Sequence, residues 1–501
     1  MALALPIDAV LPDLMAALAR DGQAVLQAPP GAGKTTRVPL ALLDAGLTEG
    51  RIVMLEPRRL AARAAAERMA ETLDEGVGAT VGYRIRGAAK TGRDTRIEVV
   101  TEGILTRMLQ SDPGLDGVGA VIFDEFHERS LNADLGLALA LEVRSALRPD
   151  LLLLPMSATL DAGPVAALMG DAPVITAEGR AYPVDVVHLE TPRPKTARLE
   201  TAMADLIGRA MDETGGSVLA FLPGEGEIRR TAAALGNCAE AEIRPLYGAL
   251  PFAEQRAAVA PAPPGRRKVV LATAIAETSL TIEGITAVVD GGLARRARFD
   301  PRSGMARLVT ERVSRAEATQ RTGRAGRLGP GRCYRLWTKG EEGALPEFPP
   351  AEIEVADLAP LALELALWGD PDGAALSFLT PPSAAALAEA RALLADLGGL
   401  GLDGRITEHG RALARLPTHP RLGHMLLRAG KSAAPLAALL AERDPLRGAP
   451  TDLSHRLRAL EGARDHPGEA NAAALKRLRE EARRLARHAP KAPPLSPAEA
   501  A

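Results

Sequence analysis

Short apolar runs rich in Val, Ile and Leu recur along the first third of the chain, at residues 24–28, 52–55, 97–100, 121–123 and 151–154. Longer segments with helical spacing lie between several of them. Runs this short suit strands buried on both faces, and intervening helices are what parallel strands need for their crossovers. A second series follows at 218–222, 269–272, 288–289 and 333–336. The pattern predicts two α/β domains, divided within the Pro-rich stretch 183–195. Beyond Trp337 the strand runs stop, and residues 356–368 and 383–397 take up helical apolar spacing. Residues 400–406 (Leu-Gly-Leu-Asp-Gly-Arg-Ile) read as a tight hairpin after a helix, which suits a small winged-helix unit. From Pro420 the chain reads as helical, and it ends in a basic amphipathic stretch around 476–487 and a Pro- and Ala-rich tail expected to be disordered.

A chain of 501 residues has room for three or four domains. Its net charge of −2 is not the global signature of a nucleic-acid binder, so a phosphate-binding surface must be local and line a cleft. The basic stretch near the end is interrupted by Glu480 and Glu481, which favours a solvated helix face over a nucleic-acid patch. Cys238 and Cys333 are far apart and have no metal-ligand spacing, so both are read as reduced thiols. No apolar run approaches the roughly 20 residues of a membrane span, and the start of the chain lacks the pattern of a secretory signal; a cytoplasmic location is the default expectation.

Candidate chemistry begins after the first strand, in Ala28-Pro29-Pro30-Gly31-Ala32-Gly33-Lys34-Thr35-Thr36. A strand feeding a Gly-rich turn and a helix start leaves backbone N–H groups aimed at one place, where a phosphate chain can lie. Gly31, Ala32, Gly33, Lys34, Thr35 and Thr36 are the candidate nucleotide-binding residues, with Lys34 reaching the outer phosphates and Thr35 a ligand for Mg²⁺. The first Gly of the usual G-x-x-x-x-G-K-[ST] pattern is Ala28 here. The second half of the site is Val121-Ile122-Phe123-Asp124-Glu125-Phe126-His127-Glu128, an apolar strand ending in adjacent carboxylates at the carboxyl edge of the sheet. Asp124 can hold Mg²⁺, with Glu125 beside it to polarise the attacking water.

Asp124-Glu125-Phe126-His127 resembles the DEAH box of superfamily 2 helicases, and the run from Phe123 to Asp134 is similar to the bacterial HrpB-like branch. The other motifs follow in the family's order: Glu56-Pro57-Arg58-Arg59, Thr101-Glu102-Gly103, Ser157-Ala158-Thr159, Phe221-Leu222-Pro223-Gly224, the stretch from Thr273 to Thr281, and Gln320-Arg321-Thr322-Gly323-Arg324-Ala325-Gly326-Arg327. Together they cover residues from about 25 to 340. The resemblance implies two tandem RecA-like P-loop domains (1–180 and 181–340), a winged-helix-like domain (341–415), a helical bundle (416–488) and a tail (489–501).

The activity so implied is an ATP- and Mg²⁺-dependent, 3′-to-5′ RNA or DNA helicase that holds single strands without reading sequence, with no membrane partner and working as a monomer. Among its residues, Glu125, Gln320, Arg324 and Arg327 would be catalytic, and Thr35, Asp124 and Glu125 would surround the metal. Arg58, Thr101, Thr273 and Ser279 would hold the sugar-phosphate backbone, while Ser157, Thr159 and His127 would couple hydrolysis to movement. Arg68 would stack on the adenine, opposite a position that is aromatic in the family and aligns with Val259 here, so poor discrimination among nucleotides is expected. Residues 291–312 are expected to form a β-hairpin whose Arg-rich first run favours phosphate contact. Two other readings remain beside the helicase: a nucleic-acid-stimulated ATPase that remodels ribonucleoprotein without processive unwinding, and an ATP-responsive clamp. Many relatives carry an oligonucleotide-binding β-barrel after the bundle, and nothing after residue 430 reads as five short strands.

Overall fold

The computed structural model describes residues 5–490, except 86, 159–161, 179–181, 195, 237–240, 278–281, 301, 303, 328 and 464 and the side chain of Phe252. Strands in chain order are β1 (Val25–Gln27), β2 (Arg51–Leu55), β3 (Val81–Ile85), β4 (Ala88–Lys90), β5 (Ile97–Val100), β6 (Val118–Phe123), β7 (Leu152–Ser157) and β8 (Val174–Thr176). They are followed by β9 (Val184–Leu189), β10 (Ser217–Phe221), β11 (Ala241–Leu246), β12 (Arg267–Ala272), β13 (Ile285–Asp290), β14 (Leu293–Asp300), β15 (Met305–Arg312) and β16 (Gly331–Thr338).

Among the described residues, the first eight form one sheet in the order β4-β3-β5-β2-β6-β7-β1-β8, parallel except for the β3–β4 pair. The interior strands β5, β6 and β7 are buried at every position, as their unbroken apolar runs require. This order sets the carboxyl ends of β6, β7 and β1 side by side, and with them Asp124, Ser157 and the Gly-rich loop. A second parallel sheet has the order β11-β12-β10-β13-β16-β9. Apolar side chains such as Met203, Val218 and Tyr334 pack one of its cores, and Leu219, Phe221 and Val288 the other.

The stretch 183–195, read from sequence as a divider, contains β9, which pairs with β16 at the edge of the second sheet. Its sequence, Val-Asp-Val-Val-His-Leu, is only half buried, and that mixed pattern concealed it. The change of sheet therefore falls between β8 and β9.

Compactness divides the chain into two units. One extends to Ala356 and also takes in Ser377–Pro381; it holds both sheets. The other comprises Asp357–Leu376 and the chain from Pro382 onward. Helices Ala359–Trp368 and Ala384–Asp396 stand where helical spacing predicted them. The expected hairpin after them is a single bridge, Leu400 to Ile406, closed by the Gly401 N–H on the Arg405 carbonyl at 2.8 Å. Helices Pro420–Ala429, Ala434–Ala441, Leu453–Glu461 and Ala472–His488 then share a core of Leu426, Ala437, Leu460, Leu478 and Leu485. No described helix is long and apolar enough to cross a membrane.

Candidate nucleotide and nucleic-acid site

The Gly-rich loop leaves β1 with the Ala28 N–H on the Ser157 carbonyl at 2.9 Å, which places the end of β7 beside it. Gly31 (φ +84°) and Gly33 (φ +95°) both adopt left-handed backbone, so the loop needs glycine at these points. A Cβ at Gly33 would also stand 2.6 Å from Leu5 Cδ1, so the leucine side chain would have to shift. Helix Lys34–Asp44 starts directly from Gly33 with no side chain capping it, leaving the loop and first turn open to an anion.

Asp124 and Glu125 meet this helix start. Thr35 Oγ1 donates to Asp124 Oδ2 at 2.5 Å, and Lys34 Nζ donates to Glu125 Oε1 at 3.0 Å while standing 3.8 Å from Asp124 Oδ1. All three charged groups are buried. Burial pushes the Asp124 carboxyl up, to about 6, and the neighbouring Glu125 adds to this against the pull of Lys34. Glu125 feels the same burial, but Lys34 and then His127 outweigh it and hold its carboxyl low, so it is ionised. Its second oxygen, Oε2, accepts no hydrogen bond among the described residues, with His127 Nε2 at 3.5 Å. An ionised, buried oxygen lacking a donor is an acceptor suited to water. The paired carboxylates and the Thr35 hydroxyl form the hard oxygen set that Mg²⁺ takes, so the residues present fit that ion.

The second sheet contributes through helix Arg315–Thr322. Its start is fixed by a reciprocal cap, in which the Glu317 N–H donates to Ser314 Oγ at 3.2 Å and the Ser314 N–H donates to Glu317 Oε2 at 2.7 Å. The helix carries Gln320 to His127, whose Nε2 lies 2.6 Å from the amide, and His127 Nδ1 accepts the Ala158 N–H at 3.3 Å. Burial, with Lys34 and Arg58, lowers the His127 pKa against the opposing pull of Glu125. A neutral ring accepting at Nδ1 carries its proton on Nε2, so Gln320 must turn its amide oxygen toward it.

Just past the helix, Arg324 Nε donates to the Glu277 carbonyl at 2.9 Å. Arg327 lies over the Gly-rich loop, with its Nε 3.7 Å from where a Gly31 Cβ would stand. Burial and then the neighbouring Arg327 depress the pKa of Arg324, and burial brings Arg327 to about 10 despite Glu125. Two guanidinium groups whose charge is disfavoured where they stand would gain from a polyphosphate between them.

Of the residues expected on the nucleic-acid path, Arg58 reaches the residue that follows Thr273: its NH1 donates to the carbonyl of Ala274 at 2.9 Å and NH2 to Glu128 at 2.9 Å. Thr101 and Thr273 each stand immediately before a helical turn, and neither hydroxyl caps it. Ser279 and Thr159 lie outside the described residues, as does Cys238; Cys333 is a buried free thiol. Arg68 is exposed on helix Arg59–Thr72 and pairs with Glu71 at 3.4 Å, while Val259 packs against the core of the second sheet.

The expected hairpin is present as β14 paired with β15, from Leu293↔Arg312 to Asp300↔Met305. Its Arg-rich strand is not free for phosphate. Arg295 pairs with Glu227, Arg296 with Glu317 and Glu311, and Arg298 with Glu311. What the hairpin exposes is its far half, where Met305 and Leu308 are 67% and 55% exposed and Arg302 and Arg307 flank them.

Residues 9–167 match the family model "DEAD/DEAH box helicase", and residues 198–329 match "Helicase conserved C-terminal domain". The chain belongs to the DEAD/DEAH box helicases. It is 50% identical over 446 residues to the ATP-dependent RNA helicase HrpB of Escherichia coli, covering 87% of this chain and 55% of that protein. It is 38% identical over 435 residues to the pre-mRNA-splicing factor ATP-dependent RNA helicase prp22 of Schizosaccharomyces pombe, covering 84% of this chain and 37% of that one. A crystal structure of the E. coli DEAH/RHA helicase HrpB superposes with a TM-score of 0.86 at 46% identity, over 97% of this chain and 60% of that chain. The chain thus spans little more than half the length of the bacterial helicase it matches.

In this helicase chain one member of the Gln320–Arg327 run has a place that spacing did not reveal. Arg321 is fully buried, donating to Glu277 Oε1 at 2.6 Å, Asp290 Oδ1 at 2.7 Å and the carbonyl of Leu293 at 3.3 Å, with its guanidinium 4.9 Å over the Phe221 ring. It joins the base of the hairpin to the helix that carries Gln320. Removing it would strand two buried carboxylates, a loss on the order of 3–5 kcal/mol. Its sequence signal is no different from that of Arg324 and Arg327, because three arginines at short spacing do not say which one points inward.

Proposed function

We propose that this chain is the motor of an ATP-dependent nucleic-acid helicase, moving 3′-to-5′ along a single strand and parting duplex ahead of it. The observation that carries the reading is the convergence of Arg324 and Arg327, from the second sheet, on the buried Lys34, Asp124 and Glu125 of the first. ATP lies with its phosphates along Gly31–Thr36. Lys34 exchanges Glu125 for the outer phosphates, and Thr35 and Asp124, with Glu125 beside them, would hold Mg²⁺. Bound there, Mg²⁺ would neutralise charge on the β- and γ-phosphates. Glu125, released from Lys34, takes the proton of the attacking water, and Gln320 keeps that water and His127 in register. Arg324 and Arg327 stabilise the charge that develops during transfer, a contribution of about 10³–10⁵ in rate for residues of this kind.

Arg58, on exchanging Glu128 for phosphate, and Thr101, Thr273 and Ser279 hold sugar and phosphate, and such contacts carry no base information, so binding is independent of sequence. His127 touches Ala158, next to Ser157 and Thr159, and also Gln320, so the state of the phosphate site is communicated to both sheets. Both relatives are named as RNA helicases, which favours RNA as the strand. The test is ATP hydrolysis with single-stranded RNA and single-stranded DNA side by side at matched salt. Stimulation, greater with RNA, is expected; hydrolysis no faster than buffer with either strand would sink the proposal.

A further inference from the structure

The turn that follows Asp124 is held in an unusual conformation. Glu125 (φ +52°) and Arg129 (φ +49°), neither of them glycine, bracket the short turn Phe126–Glu128 in left-handed backbone. Side-chain-bearing residues disfavour that region, so partners must hold the turn in place. Arg129 supplies those at its downstream end. Its Nε and NH2 donate to Asp134 Oδ1 and Oδ2 at 3.0 and 2.9 Å, and NH2 also donates to Thr380 Oγ1 at 2.9 Å. Its carbonyl accepts the Glu352 N–H at 3.0 Å, and Glu352 Oε2 in turn accepts the Leu131 N–H at 2.7 Å. The Asp134 carboxylate is fully buried and the Arg129 side chain is 13% exposed. The turn next to the reacting groups is thus gripped by chain more than two hundred residues downstream, and none of these contacts belongs to the phosphate site.

We propose that Arg129 is a positioning residue for hydrolysis. By clamping the turn Phe126–Glu128 to Asp134, Thr380 and the Glu352 segment, it keeps His127 between Ala158 and Gln320 and aims Glu125 at the water. The bland alternative is a buried ion pair that only stabilises the fold. The two differ in kinetics: a stabilising pair changes how much protein is folded, whereas a positioning residue changes kcat in protein that is folded and binds ATP normally.

The inference rests on the hydrolytic reading above, so wild-type protein is measured first. If it shows no nucleic-acid-stimulated hydrolysis, that reading fails; the present inference is judged on a wild type that does hydrolyse. Arg129→Gly removes the clamp and suits the left-handed backbone, Arg129→Lys keeps the charge without the fork, and Thr380→Val removes only the partly exposed hydroxyl. The expected result is a fall in kcat of about 10- to 100-fold for Arg129→Gly, which loses every charged hydrogen bond of the clamp, and about threefold for Thr380→Val, which leaves both bonds to Asp134 in place. The KM for ATP should stay within about twofold, and Arg129→Lys should recover part of the rate. Wild-type kcat in both Arg129→Lys and Thr380→Val would overturn the proposal, as would loss of ATP binding in step with rate in the folded variants. Should Arg129→Gly not fold, the other two variants decide.

Discussion

Glu125→Gln separates binding from chemistry at the site. Oε1 of Glu125 accepts from Lys34 at 3.0 Å, and Oε2 has no donor among the described residues, so the free oxygen is the one that can receive the water's proton. An amide keeps the shape and an acceptor for Lys34 but cannot take a proton. General-base catalysis contributes about 10²–10⁴ in rate, or roughly 3–5 kcal/mol at 1.36 kcal/mol per tenfold, and turnover should fall by that factor. Nucleotide affinity should move the other way or not at all. In the wild type Lys34 must leave a buried carboxylate to meet the phosphates, and the neutral amide holds it less firmly. The prediction is therefore ATP affinity unchanged within about threefold or tighter, beside a rate lower by at least about a hundredfold. Single-turnover hydrolysis and equilibrium binding of a fluorescent ATP analogue measure the two quantities. Turnover within about tenfold of wild type, or affinity lost in proportion to rate, would refute the assignment of the base.

Arg324→Ala and Arg327→Ala should each lower nucleic-acid-stimulated hydrolysis by about 10³ or more, and a fall below tenfold in both would remove them from the reaction. Lys34→Ala should instead raise the ATP dissociation constant, read by the same fluorescent analogue; unaltered affinity would displace the phosphates from the loop. If the β14–β15 hairpin parts the duplex as a wedge, then with Arg295, Arg296 and Arg298 engaged within the protein its exposed far half carries that role. Met305→Asp with Leu308→Asp should cut unwinding about tenfold while leaving strand-stimulated hydrolysis within about threefold, and equal losses would mean a role in folding alone. Burial, with Glu128, Glu352 and Asp134 adding to it and Ser130 opposing, pushes the Glu102 carboxyl from 4.5 to about 7. The folded protein then holds this proton more tightly than the unfolded chain, so the stability it contributes is full below about 4.5 and is lost as pH rises through 7. Glu102→Gln should accordingly match wild type at pH 4.5 and exceed it at pH 8 by roughly 1–2 kcal/mol, allowing for solvent at a part-exposed site; equal melting at both pH values would contradict this.

The meeting of the Gly-rich loop with Asp124 and Glu125 was legible because the candidate phosphate site depends on local order. A strand, two glycines, a lysine and two hydroxyls must follow one another for the loop to form, and a strand must end at Asp124-Glu125 for the carboxylates to reach it. The hairpin was legible for a similar reason, through two alternating runs about a Gly-containing turn. Partners distant in sequence were not. The arginines of β14 looked like phosphate ligands until Glu227, Glu311 and Glu317 arrived opposite them, and Arg321 gave no sign that it would be buried on Asp290 and Glu277. The same limit hid β9, whose half-polar sequence makes sense only beside β16. It also hid the grip of Thr380 on Arg129, which joins residues 251 positions apart.

Convergence of the two sheets on ATP has a purpose only if hydrolysis is spent on moving along and opening nucleic acid. The most direct measurement is unwinding of an RNA duplex with a single-stranded tail on either the 3′ or the 5′ side, using wild-type protein and Lys34→Ala, with ATP and with a non-hydrolysable analogue. Strand separation is expected only for wild type with ATP, and on the 3′-tailed duplex. Strand-stimulated hydrolysis with no unwinding of either duplex, or unwinding that persists with the analogue, would contradict it.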